Sequence, residues 1–130
     1  MNGGASILII DDDPVIHVLF RTVLEQAGYD LFFASTGHQG VEAARRGQPT
    51  LVLLDYSLPD MEGAEVFAAL RADPATAALP VAFVTAKAGS DWVPPVGDGI
   101  VGLIRKPLDL SKIAGQIDSM VASARGRRHR

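Results

Sequence analysis

Four apolar stretches of this 130-residue chain end in groups that can do chemistry. "SILII" runs into Asp11, Asp12 and Asp13, and "TLVLL" into Asp55; "LPVAFV" ends at Thr85, and "GIVGLIR" at Lys106, followed by Pro107. A buried strand has no use for an aspartate at its end. Carboxylates that crowd together repel unless a cation offsets them. Hard oxygen donors suit Mg²⁺. Zn²⁺ is disfavoured, because the chain has no cysteine and no histidine pair at ligand spacing. A hydroxyl and an ammonium beside such a cation would complete a cradle for a phosphoryl group. The cation and Lys106 would neutralise its oxygens, Thr85 would donate a hydrogen bond, and one carboxylate would attack phosphorus.

That chemistry requires a fold that gathers distant residues at one edge. The hydrophobic pattern predicts strands over 6–11, 29–35, 50–55, 79–86 and 99–106, each a short apolar run. Helical periodicity predicts helices over 13–28, 36–47, 62–73 and 108–124. Pro14 stands early in the first helix and Gly28 closes it; Asp13 stands where an N-cap belongs, so capping is its expected role rather than metal binding. Alternating β and α units, with strands apolar on both faces, imply an α/β fold with helices on both sides of a parallel sheet. The natural arrangement is a doubly wound, flavodoxin-like five-stranded sheet of order 2-1-3-4-5. In that order the first and third strands are neighbours, and Asp11, Asp12 and Asp55 meet where ligands of open α/β sheets bind.

"ILIIDDDP", "LVLLDYSLPDMEG", "VAFVTA" and "RKPLDL" resemble, in order and spacing, the four signatures of the receiver domain of bacterial two-component response regulators. The resemblance covers 6–124, leaving 125–130 as a basic tail expected to be disordered. It implies that Asp55 is the phosphoacceptor and that Asp11 and Asp12 bind Mg²⁺ together with Asp55 and the backbone carbonyl of Ser57. It implies that Thr85 is the switch hydroxyl and that Lys106 contacts the phosphoryl group, with a cis Lys106–Pro107 bond. Ser57 and Lys87 would tune the lifetime of the acyl phosphate. The implied partner is a histidine kinase or histidine phosphotransfer protein; the location expected from an N-terminus, "MNGGAS", without secretory-signal features is the cytoplasm.

Two features depart from the family. Leu103 occupies the switch position usually held by Tyr or Phe. The segment "KAGSDWVPPVGD", 87–98, should contain a fourth helix, yet it holds Pro94 and Pro95 beside Trp92. Proline breaks helices, so a degraded fourth helix and an atypical output face are expected. His17 reads as a surface or boundary residue, not a relay histidine, and His38 and His129 as exposed.

The rivals come from other classes. "IDDDPV" also fits the first motif of haloacid-dehalogenase-like phosphatases, with Asp11 as nucleophile, Asp13 as acid/base, and Thr85 and Lys106 in supporting roles. That reading leaves Asp55 unexplained. A phosphate-independent receiver-like interaction module is a second. A flavin-binding protein is a third, opposed by three aspartates where a phosphate would sit.

Composition limits the field further. About half the chain is apolar, at 48%, and the formal net charge is −3. The tail "RGRRHR" holds four arginines, so the rest is four charges more negative than the whole. An acidic body without aromatics among the basic residues argues against direct nucleic-acid binding. No apolar run approaches the roughly 20 residues that span a bilayer. A monomer or weak dimer is expected, acting alone or as part of a longer chain.

Overall fold

The computed structural model describes residues 4–86, 97 and 99–128. Among the described residues five strands and four helices follow one another: β1 (Ser6–Ile10), α1 (Pro14–Gln26), β2 (Asp30–Ala34), α2 (Gly37–Gly47), β3 (Leu51–Asp55), α3 (Gly63–Ala72), β4 (Val81–Thr85), β5 (Ile100–Arg105) and α4 (Leu110–Arg128). The strands of the sheet pair in parallel, and their order is β2-β1-β3-β4-β5. Lys87, Trp92, Pro94 and Pro95 lie outside the described residues, and with them most of the stretch in which a degraded fourth helix was expected.

The strands read as apolar on both faces because both are covered. One face sends Ile7, Ile9, Leu53 and Val84 against Phe20 and Leu24 of α1 and Ile113 and Ile117 of α4. The other sends Leu8, Ile10, Leu54 and Phe83 against Ala44 of α2 and Val66 and Leu70 of α3. Every residue of β3 and β4 is buried. Full burial of one such aliphatic side chain contributes about 1.5–3 kcal/mol, so the central strands are the most firmly held part of the sheet. Their C-terminal ends are where the candidate site lies.

Local signals set the helix starts. Asp13 caps α1, its carboxylate accepting from Val15 N–H at 2.9 Å, with Pro14 next in line. Thr36 caps α2 by accepting from Gln39 N–H at 3.1 Å. Glu62 and Glu65 form a reciprocal capping box at the start of α3. Gly40 lets α2 lie close on β1: a Cβ there would stand 2.5 Å from Ile10 Cδ1.

Two expected boundaries shift for identifiable reasons. β4 begins at Val81 rather than at 79. Pro80 has no N–H to give the ladder, although its carbonyl still accepts from Val52 N–H at 3.0 Å. The C-terminal helix runs to Arg128, so a disordered tail beginning at 125 is corrected over those four residues. Ala124 is fully buried and Arg125 half-buried. Cations at a helix C-terminus also complement its dipole.

Candidate functional site

The strand order brings the ends of β1, β3, β4 and β5 to one edge of the sheet. Asp55 ends β3 and is only 6% exposed; Asp11 follows β1 at 1%; Thr85 ends β4 at 1%. Asp12 is exposed beside them. One carboxylate oxygen from each of Asp11, Asp12 and Asp55 lies within 4.8 Å of the other two. Lys106, just past β5, reaches into the cluster: its Nζ lies 3.0 Å from Asp11 Oδ2 and 3.2 Å from Asp55 Oδ2. Its backbone N–H donates to the Thr85 carbonyl at 2.8 Å, fixing β5 to β4 at the site. The Lys106–Pro107 bond is cis.

The loop after Asp55 folds back on the carboxylate. Ser57 N–H donates to Asp55 Oδ1 at 3.1 Å. Gly63 N–H donates to the Tyr56 carbonyl at 2.6 Å, and a Cβ at Gly63 would stand 2.7 Å from Tyr56 Cα and 2.9 Å from the Asp55 carbonyl. Glycine is therefore needed at position 63 for contact with backbone beside the carboxylate.

The electrostatics are unbalanced. Burial raises the Asp55 carboxyl above its usual range, and the charge of Asp11 adds to the rise; Ser57 N–H and Lys106 act against it. Burial alone would lower Lys106, but the Asp11 and Asp55 carboxylates outweigh it and hold the ammonium above its usual value. One ammonium, paired with Asp11 and Asp55, thus stands in a cluster of three carboxylates. Asp11 Oδ2 is buried and accepts no hydrogen bond of proper geometry. An oxygen-only donor set with surplus negative charge fits Mg²⁺.

Asp11, Asp12, Asp55 and Lys106 therefore come together, and Thr85 ends the neighbouring strand with its carbonyl on the Lys106 N–H. Asp13 stands apart as a cap. Ser57 lies beside Asp55 through its N–H. Leu103 is half-buried on β5, opposite Phe83 of β4, and packs with the α2–α3 side of the core. Lys87 lies outside the described residues.

Two contacts had no sequence signal. Asp60 caps α2 from the loop after β3, accepting from Gly37 N–H at 2.8 Å, from His38 N–H at 3.0 Å, and pairing with His38 Nδ1 at 2.5 Å. His17 Nε2 lies 2.6 Å from the Asp11 carbonyl. Neither pairing follows any period or motif that a reader of the chain could see.

The response regulator receiver domain family matches residues 7–118. The chain belongs to this family. It is 33% identical over 119 residues to Protein PilH of Pseudomonas aeruginosa, covering 91% of this chain and 98% of PilH. It is 37% identical over 116 residues to the DNA-binding dual master transcriptional regulator RpaA of Synechocystis sp., covering 88% of this chain and 48% of RpaA. The receiver thus spans about half the length of RpaA and of several other curated relatives. The receiver domain of sensor histidine kinase PA1611 from Pseudomonas aeruginosa PAO1, solved with magnesium in its active-site cleft, superposes with a TM-score of 0.78 at 23% identity. That match covers 92% of this chain and 99% of that domain. Receiver domains are the phosphoacceptors of two-component signalling, and neither the phosphatase nor the flavin reading is favoured. Among the described residues no helix is long and apolar enough to cross a membrane.

Proposed function

We propose that this receiver accepts a phosphoryl group on Asp55 from the phosphohistidine of a histidine kinase or histidine phosphotransfer protein. The observation that carries the reading is Lys106 set between Asp11 and Asp55, at 3.0 and 3.2 Å, in a cluster that keeps surplus negative charge. Asp11, Asp12, Asp55 and the Ser57 carbonyl are the residues that would hold Mg²⁺. The ion, when bound, neutralises charge on the carboxylates and on the phosphoryl oxygens. The magnesium found in the PA1611 receiver supports this assignment.

In the transfer, an Asp55 oxygen forms a bond to phosphorus while the donor's N–P bond breaks. The histidine nitrogen leaves with the electron pair and takes up a proton. Lys106 follows the charge from the carboxylate to the phosphoryl oxygens, and Thr85 donates its hydroxyl to one of them. Burial suits Asp55 to this task because a partly desolvated carboxylate is held in place and loses little solvation on attack. Ser57 and Lys87, two positions after Asp55 and Thr85, tune how long the acyl phosphate lasts.

Exposed Val15, Val18 and Leu110, at 60%, 53% and 45%, flank the site on α1 and the start of α4. They give the phosphodonor an apolar surface beside the acidic one. The body of the chain is acidic, so we assign no direct nucleic-acid contact to this segment; the DNA-binding role in RpaA's name is RpaA's own. A cytoplasmic receiver, monomeric or weakly dimeric, goes with this reading.

The test is intact mass after incubation with Mg²⁺ and acetyl phosphate. A single phosphoryl adduct on the wild type, absent from Asp55→Asn, is expected. An adduct that survives Asp55→Asn and vanishes in Asp11→Asn would overturn the assignment. A wild type that takes no phosphoryl group and binds no beryllofluoride would make it a phosphate-independent module.

A further inference from the structure

We propose that His17 is a positioning residue for the metal site, clamping the Asp11–Asp12 peptide so that Asp12 faces the cluster. His17 Nε2 lies 2.6 Å from the Asp11 carbonyl oxygen. A carbonyl only accepts, so Nε2 carries the proton and donates. The ring is held from the other side as well. It packs on Phe33 of β2 with centroids 4.9 Å apart, and the Arg21 guanidinium lies 4.8 Å from the centre of the same Phe33 ring. One turn of α1, anchored by the Asp13 cap, thus carries a donor to a fixed point over the end of β1.

The clamp completes the restraint of Asp11. Its N–H donates to the Ala34 carbonyl at 3.0 Å, its Oδ1 accepts from Asp13 N–H at 2.9 Å, and its Oδ2 faces Lys106 at 3.0 Å. The carbonyl is the remaining polar group, and His17 takes it. Asp12 is different: its carboxylate has no hydrogen-bond or ion-pair partner among the described residues, and it is exposed. Only its backbone can aim it. The Asp11 C=O and the Asp12 N–H and Cα share one peptide plane, so fixing that carbonyl fixes where the Asp12 side chain starts. A metal site whose second acid is aimed through the backbone depends on whatever holds that backbone.

This role rests on the reading of the acidic pair as a Mg²⁺ site. The experiment is a calorimetric Mg²⁺ titration of the full chain as wild type, His17→Phe, His17→Gln and His17→Asn, with thermal unfolding of each. Phenylalanine keeps the packing on Phe33 and loses the donor. The glutamine amide can place its N–H where Nε2 sits, whereas the shorter asparagine cannot. We expect Mg²⁺ affinity to fall roughly tenfold in His17→Phe and His17→Asn, the scale on which outer partners of metal ligands act. His17→Gln should stay close to the wild type. If the Phe variant does not fold, the Gln and Asn pair decides. Equal Mg²⁺ affinity in all folded variants would overturn the role. So would loss in His17→Gln as large as in His17→Asn. A wild type that binds no Mg²⁺ would overturn the site's metal assignment, and the role of His17 with it.

Discussion

Lys106 Nζ stands 3.2 Å from Asp55 Oδ2, across 51 positions of sequence, and 3.0 Å from Asp11 Oδ2. One cation is thereby shared by two buried carboxylates. The arrangement is only partly neutralised, and burial together with Asp11 raises the Asp55 carboxyl above its ordinary 3.8. An acid whose proton is held more tightly folded than unfolded makes the folded state bind more protons, so stability falls as pH rises through that range.

Asp55→Asn should therefore melt at a higher temperature than the wild type at pH 7 without Mg²⁺. The gain should vanish below about pH 3.8, where Asp55 is protonated in both states. Mg²⁺ should raise the wild type more than the variant, because it stabilises the state that binds it. Thermal unfolding by circular dichroism, with and without Mg²⁺, checks this; a variant that melts lower at pH 7 in metal-free buffer would count against it.

Gly63→Ala should impair both folding and phosphorylation. Its Cβ would meet Tyr56 Cα at 2.7 Å and the Asp55 carbonyl at 2.9 Å, backbone atoms that cannot rotate away. Overpacking of this kind costs about 1–3 kcal/mol. The strain would fall on the residue proposed to accept the phosphoryl group. Urea unfolding and the rate of adduct formation with acetyl phosphate should both change; an unaltered rate in a folded variant would show that the turn tolerates the methyl group.

Asp60 links the loop after β3 to the start of α2. The Gly37 N–H lowers its carboxyl most, against a smaller opposing effect of burial; the His38 N–H and ring add to the lowering and bring it to about 2. A depressed acid contributes stability that is present above its unfolded value of 3.8 and is lost as pH falls toward 2. Asp73, held down by Ala75 N–H and Arg45, and Asp109, held down by Ser111, act in the same direction. The informative quantity is thus a difference: acid unfolding of Asp60→Asn should show a shallower fall between pH 4 and 2 than the wild type. Parallel curves would mean that the cap does not contribute.

Leu103 bears on output. It sits opposite Phe83, which lies between Tyr56 and Phe67 at centroid distances of 5.8 and 5.9 Å. A leucine can repack there but would have no ring to turn inward were Thr85 to act as the proposed switch hydroxyl. Amide exchange from Thr85 to Lys106 should therefore change only near those two residues when beryllofluoride is added. A wide change across β5 would show that the switch works without the aromatic.

The chain disclosed the site through its strand ends. Asp11, Asp55, Thr85 and Lys106 each close an apolar run, and such runs are local signals set by burial on two faces. Asp13 with Pro14 announced a cap for the same reason: the donor it satisfies, Val15 N–H, is two residues away. Strand order was legible because short βαβ crossovers have one favoured hand and arrangement. Other features were not legible. The end of α4 depended on Ala124 being buried against the core, and the start of β4 on which strand Pro80 could still serve.

By itself, then, the sequence determined which side chains would stand at the sheet's carboxyl edge, because strand and helix periods place residues within an element. Only the tertiary structure decided which atoms meet: Lys106 between two carboxylates, Asp60 on the end of α2, and His17 on the carbonyl of Asp11. Those contacts join different elements. Their distances depend on how the helices pack over the sheet, which no local pattern encodes.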